Sequence, residues 1–484
     1  MKKTLVAGVD SSTQSCKVLI RDARTGELVR SGSAKHPDGT EIHPDYWWNA
    51  LLEAIEKAGG LDDVAALSVG GQQHGMVALD ADGEVIRPAL LWNDTRSAGG
   101  AEELIAELGS LRGSGADDGA RVWAEQIGTV PVASITATKL RWLANAEPEN
   151  AERVAAVALP HDWLTWKLAG GIAVGLEALA TDRSDASGTG YFSTPRGEYD
   201  REILDLALRR DSSGVTLPRV LEPNERAGTT VEQGPIPAGI ALAPGCGDNA
   251  GAALGLEMGV GDVSISIGTS GVVAAVTDVP AADPSGTIAG FADATGSFLP
   301  LAVTLNSAQT LDKMCELLAV GYDEFDELAL AGEPGSGGIT LVPYYQGERT
   351  PNLPRATASI VGMTLVSATR ENLARAAVEG LLSSLADGID AFVEQGLAVE
   401  RVLLIGGGAK YRAVQEIAPM VFGGEVWIPD AGEYVANGAA RQAAWLVLGE
   451  LPAWDVSHSR KITAEPYPAP RETYALRRHL YAER

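Results

Sequence analysis

The stretch VAGVDSSTQSCKVLI, residues 6–20, decides how the chain is read. Val6 to Val9 is a short apolar strand, and Lys17 to Ile20 begins a second. The turn between them, Asp10-Ser-Ser-Thr-Gln-Ser15, contains neither Gly nor Pro. A hairpin turn rich in hydroxyls aims backbone N–H groups and side-chain donors into one concavity, which suits phosphate oxygens. A carboxylate there repels phosphate but can hold the magnesium ion that accompanies it. Alternatively Asp10 merely caps its own turn.

The same layout returns near mid-chain. GDVSISIGTSGVVAAV, residues 261–276, again sets a strand, a small-residue turn at Gly268, Thr269 and Ser270, and a second strand. Two such units, each opening about half of the chain, predict two related lobes that face each other. The Gly- and Ala-rich run Gly245 to Gly255 is the expected boundary, dividing residues 1–253 from 254–484. Strands at Val64–Val69, Val263–Ile267 and Val402–Ile405 alternate with helices at Tyr46–Ala58, Thr138–Asn145, Arg370–Gln395 and Glu433–Leu446, an α/β pattern. Gly113–Gly119 and Glu333–Gly338 read as surface insertions. The tail after Leu451 is expected to pack on the second lobe.

Composition excludes several classes. At 484 residues and 45% hydrophobic the chain exceeds one ordinary domain. A net charge of −26 argues against nucleic acid and anionic membrane as partners. Three dispersed cysteines make neither a disulfide framework nor a metal cluster. The opening apolar run is cut short by Asp10, and no stretch is long enough to span a bilayer, so a soluble cytoplasmic protein is expected. A homodimer is compatible with the sequence.

RVLLIGGGAK, residues 401–410, is a strand, three glycines and a helix start, which admits a flat base or an α-phosphate. No Walker-type phosphate loop occurs anywhere. GCGDNA, residues 245–250, matches a loose dinucleotide pattern, but Asp248 stands where a pyrophosphate needs amides. Asp248 suits instead a proton acceptor for a substrate hydroxyl, or an ordinary N-cap. Gln72, Gln73 and His74 close one apolar strand, and Trp92, Asn93, Asp94 and Arg96 close another. Amides, carboxylates and imidazole beside an indole are what a sugar pocket needs.

Taken jointly, the Asp10–Lys17 turn, GTSG from Gly268, GDNA from Gly247 and GGGA from Gly406 resemble the FGGY carbohydrate kinases. GQQHG from Gly71, LWNDTR from Leu91 and QGERTP from Gln346 are similar to members that act on D-xylulose. The resemblance implies two actin-like (ribonuclease-H-like) lobes with MgATP and a ketose in the cleft, and phosphorylation of the sugar's terminal hydroxyl. Carried over by position, it implies Asp248 as catalytic base, with Gln73, His74 and Asn249 on the ketose and Trp92, Asn93 and Asp94 as pocket wall. It implies Asp10 near magnesium, and Thr13, Lys17, Gly268, Thr269, Gln309, Gly407 and Gly408 around ATP. Ser12 and Ser15 stand where many relatives have glycine. The alternatives are another sugar or polyol kinase of the family (ribulose, gluconate or polyol), an actin-like ATPase without sugar kinase activity, and a sugar-sensing regulator.

Overall fold

β1 (Leu5–Ser11) and β2 (Ser15–Asp22) form the expected hairpin, with Asp10 opposite Lys17. They belong to a computed structural model that describes residues 3–113, 115, 118–351, 353, 355–454 and 459–480. β3 (Leu28–Lys35) pairs with β2, and β4 (Val64–Gly71) runs parallel to β1 on its other side. A parallel neighbour needs a crossover, supplied by α1 (Asp45–Lys57). Its Trp47, Leu51 and Ile55 recur every four residues and are fully buried. Asp45 in its first turn and Lys57 in its last complement the helix dipole. Among the helices further along are α2 (Thr136–Ala146), α3 (Pro160–Leu168) and the short α4 (Arg183–Ser187). β5 (Gly228–Thr229), β6 (Ala241–Leu242) and β7 (Cys246–Gly247) complete a seven-stranded sheet, β6 and β7 both lying parallel to β4. α5 (Asp248–Gly255) follows directly.

The second sheet also has seven strands: β8 (Asp262–Ile267), β9 (Gly271–Ala275), β10 (Ala289–Ala292), β11 (Phe298–Thr304), β12 (Arg401–Ile405), β13 (Glu425–Pro429) and β14 (Ser459–Thr463). Its central order, β11-β9-β8-β12-β13, matches β3-β2-β1-β4-β6 in the first, with the same antiparallel and parallel pairings. The expected repeat of layout is therefore a repeat of topology. α6 (Ala308–Leu318) and the long, largely buried α7 (Arg370–Glu394) cross between β11 and β12.

α8 (Tyr434–Leu448) comes from the second half of the chain but lies on the first sheet against β1, β4 and α5. Glycines permit that approach: a Cβ on Gly438 would lie 1.9 Å from the Gly251 carbonyl, and one on Gly8 2.0 Å from that of Ala436. Gly245–Gly255, the expected boundary, folds as β7 and α5, packed under α8. Glu333–Gly338 lies largely at the surface, as expected, but is tied to the core. Gly335 N and Ser336 Oγ donate to the buried Glu379 of α7, at 3.0 and 2.8 Å. Of Gly113–Gly119, residues 114, 116 and 117 lie outside the described residues. In the tail, β14 and α9 (Ala469–Arg477) pack on the second lobe, whereas Trp454 packs on the first, its indole donating to Ala23 O at 3.0 Å. Residues 481–484 lie outside the described residues. No described helix is long and apolar enough to cross a membrane.

Candidate active site

Strand register brings together two carboxylates distant in sequence. Alternate residues of β1 face α8; Val6 and Gly8 do, so Asp10 does too. Asp10 sits beside Gly70 of β4, and Cys246 of β7 sits beside the same Gly70 from the other edge. Asp10 and Asp248 therefore leave the same end of one sheet with a single strand between them. Gly247 is the N-cap of α5, so Asp248 is not the cap but the first helical residue. Its Oδ1 accepts from the backbone N and the Nδ2 of Asn249, at 2.8 and 3.0 Å.

Burial raises the Asp248 carboxyl to about 6, against the pull of the Asn249 amide. Burial raises Asp10 to about 7; Lys17 opposes this, while Asp248 and Glu433 push it further up. Lys17 Nζ meets Glu433, the N-cap of α8, at 2.5 Å. Asp10 Oδ1 is buried without a hydrogen-bond partner. An orphaned carboxylate oxygen with two further carboxylates nearby is a donor set that fits a hard divalent cation.

Beside Asp248 opens a cavity of about 220 Å³ lined by Gln73, His74, Trp92, Asn249 and Arg349, with Val132, Ile135 and Phe291 on its apolar side. That is smaller than the usual drug-sized pocket of about 300–1,000 Å³ and suits a molecule the size of a monosaccharide. His74 is held in the left-handed region, φ 68°, and its Nδ1 donates to Gly188 O at 2.7 Å. Burial, and then the charge of Lys139, lower its pKa to about 3, so the ring is neutral and Nε2 is an acceptor. Gln73 donates from Nε2 to Ser184 O (3.2 Å) and accepts from Asn249 Nδ2 (3.3 Å), which steadies Asn249 against Asp248. The Trp92 indole donates to Thr13 Oγ1 at 2.9 Å, tying the cavity to the first turn.

A second cleft, of about 530 Å³, follows β12 and includes Gly406, Gly407, Lys410, Tyr434 and Arg460. The three glycines do different work. Gly406 (φ 92°) and Gly408 pack on Ile267, where a Cβ would fall within 2.7 and 2.3 Å of its atoms. Gly407 faces open space at the cleft.

Not every expected residue lines a cavity. Asp94 is buried away from both; burial would raise its pKa, but hydrogen bonds from Arg96 and Thr40 outweigh this and lower it. Asn93, beside it, keeps a buried Oδ1 without a partner. The Gly268–Thr269 turn is tied to α6 by Ala308 N to Gly268 O (2.9 Å), and its neighbour Ser270 reaches the first cavity. Gln309 Nε2 donates back to Leu305 O. Arg349 was not singled out by the sequence, although it lies in the QGERTP stretch. Its guanidinium is pushed down in pKa by burial, and its backbone is held by Glu348, which also takes Leu305 N and Asn306 Nδ2. The wall Thr129–Ile135 carries no polar cluster that could have announced it.

Two lobes of one topology, with a sugar-sized cavity and a glycine-lined cleft between and beside them, define a phosphotransferase class. The FGGY family of carbohydrate kinases matches through its N-terminal domain over residues 5–255 and its C-terminal domain over 263–447, and the chain belongs to that family. It is a carbohydrate kinase with the actin-like two-lobe fold, and ATP and a sugar are its substrates. Among its relatives, the xylulose kinase of Streptomyces rubiginosus is 46% identical over 462 residues, 93% of this chain and 89% of that protein. The xylulose kinase of Escherichia coli strain K12 is 31% identical, covering 98% of each. The crystal structure of xylulose kinase from Bifidobacterium adolescentis superposes with a TM-score of 0.92 at 52% identity, covering 98% of this chain and 99% of that one.

Proposed function

We propose that the enzyme transfers the γ-phosphoryl group of ATP to the terminal hydroxyl of D-xylulose, with Asp248 as general base. The observation that carries this is the Asp248 carboxylate, without a cationic partner among the described residues, at the edge of a monosaccharide-sized cavity. A pKa of about 6 leaves it ionised at neutral pH yet able to take a proton. The hydroxyl proton passes to Asp248 as the sugar oxygen bonds to the γ-phosphorus, and the bond to the bridging oxygen breaks to release ADP. His74 Nε2 accepts a sugar hydroxyl, Asn249 a second, and the Trp92 ring covers a C–H face; Gln73 acts largely through Asn249, while Asn93 and Asp94 brace the wall. The similar proteins named xylulose kinase support D-xylulose as the acceptor.

On the nucleotide side, Gly407 borders the cleft and Gly408 shapes it, while Gly268, Thr269 and Gln309 approach from the second lobe. Thr13 and Lys17 approach the phosphates from the first. Asp10, with Glu433 nearby, would hold Mg2+, which neutralises developing charge on the phosphate oxygens when bound. Alignment of the two substrates supplies much of the remaining acceleration, and lobe closure excludes water. The division at 253/254 into sugar-side and nucleotide-side halves goes with this proposal. The test is ADP release measured across pentuloses, hexuloses and polyols. D-xylulose is expected to give the highest kcat/KM; a better acceptor, or ADP release that needs no sugar, refutes the proposal.

A further inference from the structure

Beneath the sugar cavity lies a charge cluster that the chemistry above does not use. His161, in the first turn of α3, is fully buried, and Asp162, Asp182 and Asp185 are exposed by no more than 2%. His161 Nε2 lies 3.2 Å from Asp185 Oδ2, 3.3 Å from Asp162 Oδ1 and 3.4 Å from Asp182 Oδ1. Asp182 caps α4, accepting from Ser184 N and Asp185 N, and Asp162 Oδ2 accepts from Leu159 N. Neither oxygen of Asp185 has a hydrogen bond. Burial raises the carboxyls of Asp162 and Asp185, and the neighbouring His161 is the group that pulls both back down.

α4 is only five residues long, too short to hold its shape unaided. Yet three bonds run from it and its end to the sugar side. Gly188 O accepts from His74 Nδ1 (2.7 Å), Ser184 O from Gln73 Nε2 (3.2 Å), and Ser184 Oγ from Gly247 N (3.0 Å), the residue before Asp248. His161 fills the space where Gly71 and Gly245 lack side chains: a Cβ on Gly71 would come within 2.9 Å of His161 Cβ, and one on Gly245 within 2.6 Å of its ring Nδ1.

We propose that His161 is a positioning residue, an imidazolium caged by Asp162, Asp182 and Asp185 that locks α4 and through it fixes His74, Gln73 and the Gly247–Asp248 junction. The inference rests on the sugar-kinase function proposed above. Burial alone would depress the ring's pKa, but Asp162 and Asp185 outweigh it and hold it at about 10. A metal ion is the less favoured cation. Asp182 is already engaged by two amides, which leaves three protein donors in a site closed to water, short of the four of structural zinc or the six of magnesium.

The test compares His161→Gln, which removes the cation, with His161→Lys, which keeps one. His161→Gln is expected to lose about a hundredfold in ketose kcat/KM, through displacement of the sugar-side groups, with nucleotide affinity by calorimetry unchanged. His161→Lys is expected to recover most of that loss. A glutamine variant as active as the parent overturns the proposal, and so does a lysine variant that is unfolded or no better than glutamine. Stoichiometric divalent metal in the purified protein that His161→Gln releases also overturns it, in favour of a metal centre. If the parent phosphorylates no sugar, the proposed function falls and this inference with it; an active parent with indifferent variants sinks this inference alone.

Discussion

Asp248→Asn tests the chemistry with little disturbance of the fold. The amide keeps an oxygen for the Asn249 backbone and side chain but has no basicity. Loss of general-base catalysis lowers kcat by about two to four orders of magnitude, or about 3–5 kcal/mol in the barrier. Stability should move the other way. The Asp248 carboxyl rises from its ordinary 3.8 to about 6 on folding. A raised folded pKa means stability is fully present below 3.8 and is lost as pH climbs through about 6. At pH 7.5 the ionised group therefore costs at most about 3 kcal/mol, less where cavity water screens it. The asparagine variant, neutral throughout, should match or exceed the parent's Tm at pH 7.5 and lose that advantage near pH 4. In an ADP-coupled assay, the parent's kcat/KM should fall about tenfold per pH unit below about 6, and the variant should lack that limb. Turnover near the parent's with the limb retained would remove Asp248 from the mechanism.

His74→Phe removes both the bond to Gly188 and the Nε2 acceptor, and should raise the ketose KM by about tenfold or more while the ATP KM holds. Because the parent ring stays neutral above about 3, its protonation should add no pH dependence to ketose KM between about pH 5 and 8, as initial-rate kinetics will show. Gly408→Ala collides with Ile267 and should cost about 1–3 kcal/mol in chemical denaturation. Gly407→Ala, facing open space, should keep stability but weaken nucleotide binding measured by calorimetry. Asp10→Asn should weaken Mn2+ binding by about tenfold or more, read by electron paramagnetic resonance with a non-hydrolysable ATP analogue present.

The local chemistry of the site was legible in the chain. Hydroxyls after a buried strand, three glycines after another, and amide, imidazole and indole groups closing apolar runs all report what a few neighbouring residues can do. Helix α1 could be read for the same reason: Trp47, Leu51 and Ile55 share a face by spacing alone. Other decisions belong to the tertiary structure. Asp10 and Asp248 meet because β1, β4 and β7 end in one row, and strand register links segments far apart along the chain. Gly406, Gly407 and Gly408 are identical letters, but Ile267 packs on the first and third, while the first and second line the cleft. Arg349 and the Thr129–Ile135 wall, like the cage around His161, carry no local signature. Periodicity and turn chemistry act within a few residues, whereas a cavity is made by packing surfaces that only the folded chain brings together.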